Sequence, residues 1–136
     1  MKRIAIILDK SLEKGEVGNI AAILMGQAAL CCQEIYDSEI LKDQDGNRHA
    51  AIRYSTVVLN AGQQQLLSFI QKIQNEHTAV TCIVFSQAGQ KLHNAFPEYR
   101  SQIHNNTTEH LKPIGVIVVG AEEEIKAITK KFSLIR

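Results

Sequence analysis

No apolar run in this 136-residue sequence approaches the roughly 18 residues that cross a bilayer, which excludes a transmembrane helix. The N-terminus, MKRIAIILDK, sets basic residues before only five apolar ones and lacks a small-residue cleavage site, so it reads as a first strand and not as a signal peptide. Neither sign of charge dominates. Fifteen Lys and Arg face 14 Asp and Glu, a net charge of +1, which gives no field to argue for nucleic acid or an anionic membrane as a partner. The three cysteines are odd in number, two are adjacent and none forms Cys-x-x-Cys, so reduced thiols and a cytoplasmic location are expected. The five histidines have no His-x-x-x-His spacing and no paired cysteine ligands, so no zinc site is expected, and no cofactor motif is present. Absence of Gly-x-Ser-x-Gly removes the commonest serine hydrolase layout of an α/β chain. There is no internal repeat, low-complexity segment or linker, so residues 1–136 are expected to form a single domain.

What the sequence does contain is an alternation. Four short apolar runs, RIAIIL, TVVLN, VTCIVF and IGVIVVG, are each followed by a helix-like stretch. Continuous apolar runs mark strands buried on both faces. The pattern predicts a three-layer α/β/α sandwich around a central mixed sheet of about four strands. Val17, Ile20, Ala21, Leu24, Ala28 and Cys31 recur at helical spacing and mark the face of a first helix that packs on the sheet. Asp45-Gly46 lies between EIL and AIRY, the turn chemistry of a β-hairpin or an extended excursion inserted at residues 36–54. Asn60, three residues before Gln63, predicts the N-cap of a second helix carrying Leu66, Leu67, Ile70 and Ile73 and ending near Asn75. Pro97 interrupts or restarts helical structure, and residues 98–111 read as weakly helical. A last helix opens with Glu122, Glu123 and Glu124 and closes near Lys130 and Lys131, an order that complements the helix dipole.

In open α/β sheets ligands sit beyond the carboxyl ends of the strands. The loops after the first and third strands therefore supply the candidates: Asp9, Lys14, Gly15 and Asn19 from one, Ser86 and Gln87 from the other. Asn19, beside two glycines, is expected either to cap the first helix or to line the cleft. GEVG lacks the full pattern of a P-loop or a dinucleotide fingerprint, and Glu16 would repel an anion. Cys31 and Cys32 close the first helix, one facing the sheet and one turned aside, and Cys82 is expected to be inert core.

The stretches RIAIILDKSLEKGEVGNIAAIL, STVVLNAGQQQLLSFI, SQAG and PIGVIVVGAEEEIKAITKKFSLIR resemble the type II peptidyl-tRNA hydrolase superfamily. The whole chain, with FPEYR and the Leu-Ile-Arg terminus, resembles an uncharacterised family of that fold group, the domain of unknown function two thousand. The resemblance implies a type II peptidyl-tRNA hydrolase-like fold and a homodimer. Those hydrolases carry a Gly-Lys-Gly-Lys loop, a serine and a histidine on the first helix, and an aspartate before Ala-Gly. Here KGEVGN, ILMGQAA and SQAGQ stand in those places, with Glu16 near the loop lysine, small or apolar residues around Met25 and Gly26, and Gln87 and Gln90 in place of the aspartate and the following basic residue.

A glutamine amide cannot accept a proton near neutral pH as a carboxylate does. The expectation is therefore a ligand- or partner-binding module without classical peptidyl-tRNA hydrolase activity, its cleft lined by Asp9, Lys14, Asn19 and Gln87, for a small polar ligand or a protein. The alternative is a hydrolase of unassigned substrate, peptidyl-tRNA included, with Asp9 or Glu16 as base and Lys14 stabilising negative charge.

Overall fold

The computed structural model describes residues 1–135. Strand β1, Lys2–Asp9, is central because Ile4 to Leu8 are buried on both faces. It pairs in parallel with β4, Thr56–Ala61, and antiparallel with β6, Pro113–Ala121. Beyond β6 lies β5, Thr81–Ser86, antiparallel to it, and beyond β4 lies β7, Ser133–Leu134. Among the described residues these five strands form one mixed sheet in the order β5-β6-β1-β4-β7. This corrects the expectation of about four strands: β7 is two exposed residues long and leaves no apolar run to read. Arg136, the last residue of the Leu-Ile-Arg terminus, lies outside the described residues.

Alternate residues of each strand feed separate cores, as the two-residue side-chain period requires. On one face Ala5, Ile7, Val116 and Val118 meet Leu66, Phe69, Ile70 and Ile73 of α2, Gln63–Glu76, and Ile125 of α6, Glu122–Thr129. Phe69 and Phe132 close this core edge-to-face at 5.3 Å. On the other, Ile4, Ile6, Leu8, Ile117 and Val119 meet Ile20, Leu24 and Ala28 of α1, Lys14–Cys31. Helices thus cover both faces, and each large buried side chain contributes about 1.5–3 kcal/mol. Gly115 of β6 lets α1 approach closely: a Cβ there would stand 2.8 Å from Leu8 Cδ2 and 3.1 Å from Ile20 Cγ2.

Helix starts differ from the sequence reading. Asn60 does not cap α2; it stays in the β4 ladder opposite Leu8 and Ser133. Gly62 is the N-cap, and its N–H donates to Gln65 Oε1 at 3.0 Å. Helix α1 begins early, with Glu13 as N-cap and its N–H donating to Glu16 Oε1 at 3.0 Å. Asn19 is therefore no cap; it lies exposed inside the helix. At the other end Cys32 is buried and its thiol reaches Thr81 Oγ1 at 3.5 Å, whereas Cys31, placed by spacing on the core face, is exposed past the sheet.

The insertion is a hairpin, β2, Leu41–Lys42, against β3, Arg48–His49, with Gly46 at a φ of 86° that favours glycine. Between β5 and β6 the chain makes three short helices: α3, Gln87–Gln90; α4, Phe96–His104, begun with Pro97 in its first turn; and α5, Thr108–Leu111. No helix among the described residues is long and apolar enough to cross a membrane.

Candidate functional site

Since β1, β4 and β5 run in the same direction and β6 against them, the carboxyl ends at Asp9, Ala61 and Ser86 share one end of the sheet with the start of β6. Each expected site residue lies on or beside this end. Asp9 is half-buried and spends one oxygen on its own turn: Oδ1 accepts from the Ser11 N–H at 2.9 Å and from the Ser11 hydroxyl at 2.8 Å. Lys10 N–H donates to the Ala61 carbonyl at 2.9 Å and ties this turn to the end of β4. Lys14, Gly15 and Asn19 occupy the first two turns of α1, all exposed. Ser86 is buried at the end of β5, and Gln87 opens α3.

What joins the two loops is Glu16. One carboxylate oxygen accepts from the Glu13 N–H, and the other from Gln90 Nε2 at 3.0 Å across to α3. Here an acid and an amide make a hydrogen bond between α1 and α3, so both are engaged in holding the loops.

The cavity at this end is an open one of about 560 Å³, lined by α3, α4, α5 and Lys112 just before β6. Gln87, Lys91, Gln102, Asn106, Glu109 and His110 put polar groups on its wall, with Lys112 beside them. Of the six expected site residues Gln87 lines it; Asp9, Lys14, Gly15, Asn19 and Ser86 do not. Lys112 has a backbone φ of 59°, in the left-handed region that a lysine seldom adopts. It is held there from both sides: its N–H donates to the Glu109 carbonyl at 3.2 Å, and its carbonyl accepts from the Gln87 N–H at 3.1 Å. His93 and Asn94, in the turn from α3 to α4, are also left-handed, at φ 46° and 62°.

The sequence reading missed most of this wall, because residues 98–111 carry no periodicity strong enough to fix their helices. A signal was present in the length of the connection from 87 to 112. Adjacent antiparallel strands can be joined by a few residues, and long connections commonly carry function.

Gly89 of α3 lies close against β5: a Cβ there would stand 2.4 Å from the Phe85 ring, so a larger residue would have to displace that ring. Cys82 of β5 is partly buried against the core, and that burial pushes its thiol up to about 11. Among the described residues no group of three or more His, Cys, Asp or Glu is placed to hold a metal ion.

Fold and site together define an α/β sandwich with a polar cavity at one end of a mixed sheet. The chain belongs to the family described as Protein of unknown function (DUF2000), whose model matches residues 2–136. A solved structure of a protein of unknown function from Agrobacterium tumefaciens strain C58 is similar to it, with a TM-score of 0.84 and 22% identity, over 99% of this chain and 98% of that one. No curated protein matches the chain.

Proposed function

We propose that this protein is a cytoplasmic ligand-binding module on a scaffold of the type II peptidyl-tRNA hydrolase kind, without that enzyme's classical activity. Its ligand is small and polar and carries an anionic group. The observation that supports this reading is the cavity beside Gln87. Lys91 and Lys112 offer two cationic groups, Gln87, Gln102 and Asn106 offer amide donors and acceptors, and Glu109 and His110 complete the wall. Amides recognise polar groups by hydrogen bonding but do not take up a proton at neutral pH, so Gln87 suits binding better than base catalysis.

Two assays test it. Purified protein, incubated with an N-blocked aminoacyl-tRNA beside a genuine type II hydrolase, should release no amino acid; turnover by the native chain would overturn the reading. Inorganic phosphate and small dicarboxylates should raise the unfolding temperature, and Lys91→Ala and Lys112→Ala should each remove most of that rise. Equal stabilisation of both variants would move the ligand elsewhere.

A further inference from the structure

A separate pocket of about 260 Å³ opens between α6 and the edge of the sheet at β4 and β7, and it shares no residue with the cavity beside Gln87. Its floor is apolar: Val57 and Leu59 of β4, Phe132 just before β7, and Leu134 within it. Its rim is cationic: Arg3 at the start of β1, Lys126 in the last turn of α6 and Lys130 at the C-cap of that helix. Ala5 pairs with Val57 and Ile7 with Leu59, so the two-residue side-chain period sets Arg3 on the same face as this floor. Leu134 is 53% exposed, which leaves the floor open to a ligand.

The polar groups of this pocket are not equally spent. Glu122 Oε1 accepts from Lys126 Nζ at 2.8 Å, and the Thr129 hydroxyl donates to the Ile125 carbonyl at 2.6 Å. Among the described residues neither Arg3 nor Lys130 forms an ion pair. Arg3 is half-buried, and its Nε is shut off from solvent with no acceptor among those residues. An arginine that only covered apolar surface would keep its head in water. A guanidinium partly stripped of water and left without an acceptor is costly, and desolvated charges are ordinarily paired.

We infer that this pocket binds a small amphipathic carboxylate, an aliphatic or aromatic monoacid, with its apolar part on Val57, Leu59 and Leu134 and its charge beside Arg3 and Lys130. The planar fork of a guanidinium matches a carboxylate, and the anion supplies the counter-charge that Arg3 lacks. The floor selects a ligand with one charged end. A dicarboxylate would set its second charge on this floor, and inorganic phosphate would leave the floor uncovered. Size sets the upper limit, because pockets for drug-sized ligands span about 300–1,000 Å³ and this one is smaller.

An NMR titration of the full chain with octanoate and benzoate, beside octanol as the uncharged analogue, tests it. Both acids should give saturable shifts centred on Val57, Leu59, Phe132 and Leu134, and octanol should bind about tenfold more weakly or worse. Arg3→Met keeps an apolar stem without the charge; it should weaken octanoate by about tenfold or more and leave octanol unchanged. Lys130→Gln, at an exposed position, keeps the test decisive should Arg3→Met fail to fold, and it should weaken octanoate severalfold with the far-UV circular dichroism unchanged. Equal affinity for octanoate and octanol, octanoate binding indifferent to the folded variants, shifts centred on Gln87 and Lys112, or no shift at any concentration would each overturn the inference.

Discussion

Lys112 carries a backbone conformation that costs a side-chain-bearing residue about 1–2 kcal/mol, and it does so on the wall of the cavity. Its carbonyl and N–H hold Gln87 and Glu109 in place, so the strain is tied to the shape of the site. Lys112→Gly should therefore raise stability by about 1 kcal/mol in a denaturant titration while lowering affinity for phosphate. Cys82 offers a second test on a single side chain. Below pH 9.0 its thiol is protonated in both folded and unfolded chains; between 9.0 and about 11 the unfolded chain ionises and the folded one does not. Stability should thus fall as pH rises through that window, by up to about 3 kcal/mol, and Cys82→Val should lose less. Cys82, expected as core because it lies within an apolar run, is only partly buried, since β5 is an edge strand of the sheet. Asn60 and Asn19 were misread because cap residues are recognised only relative to a helix start, and both starts were displaced: β4 runs on through Ala61, and α1 starts at Lys14.

At the scale of elements, Gly115 faces Leu8, Ile20 and Leu24 with no room for a methyl, so Gly115→Val should cost about 1–3 kcal/mol by overpacking, read as a lower unfolding midpoint. On the buried side of α1 Leu24→Ala should cost about 2–5 kcal/mol through the cavity it leaves. The β2–β3 hairpin is fastened by Asp43, whose Oδ1 accepts from the Asp45 and Asn47 N–H groups at 2.9 and 3.0 Å while Oδ2 meets His49 Nε2 at 2.8 Å. Its hydrogen bond with His49, with help from those backbone N–H groups, holds the carboxyl below its ordinary value. The order this adds is present above the usual carboxylate range and lost as pH falls through the lowered pKa. Amide exchange in the hairpin should accelerate there, ahead of any change in the sheet. The hairpin was legible from Asp45-Gly46 because turn chemistry is local; α4 and α5 were faint because short polar helices take their position from the surface they lie on.

Over the whole molecule, the four long strands and the helices facing them were legible because each is an apolar run or an apolar stripe. These patterns fix the two cores of the sheet. Neither β7 nor the cavity leaves such a pattern, since β7 is two exposed residues and the cavity arises where three short helices meet the end of a sheet. Membership of the family described as Protein of unknown function (DUF2000) fixes the class of the chain, and the polar wall beside Gln87 carries the functional reading. The most direct measurement is an amide-resolved NMR titration of the native chain with inorganic phosphate and small dicarboxylates. Saturable shifts centred on Gln87, Lys91, Gln102 and Lys112 are the expected result. Shifts centred on another surface, or none at any concentration, would contradict the assignment of the cavity as the ligand site.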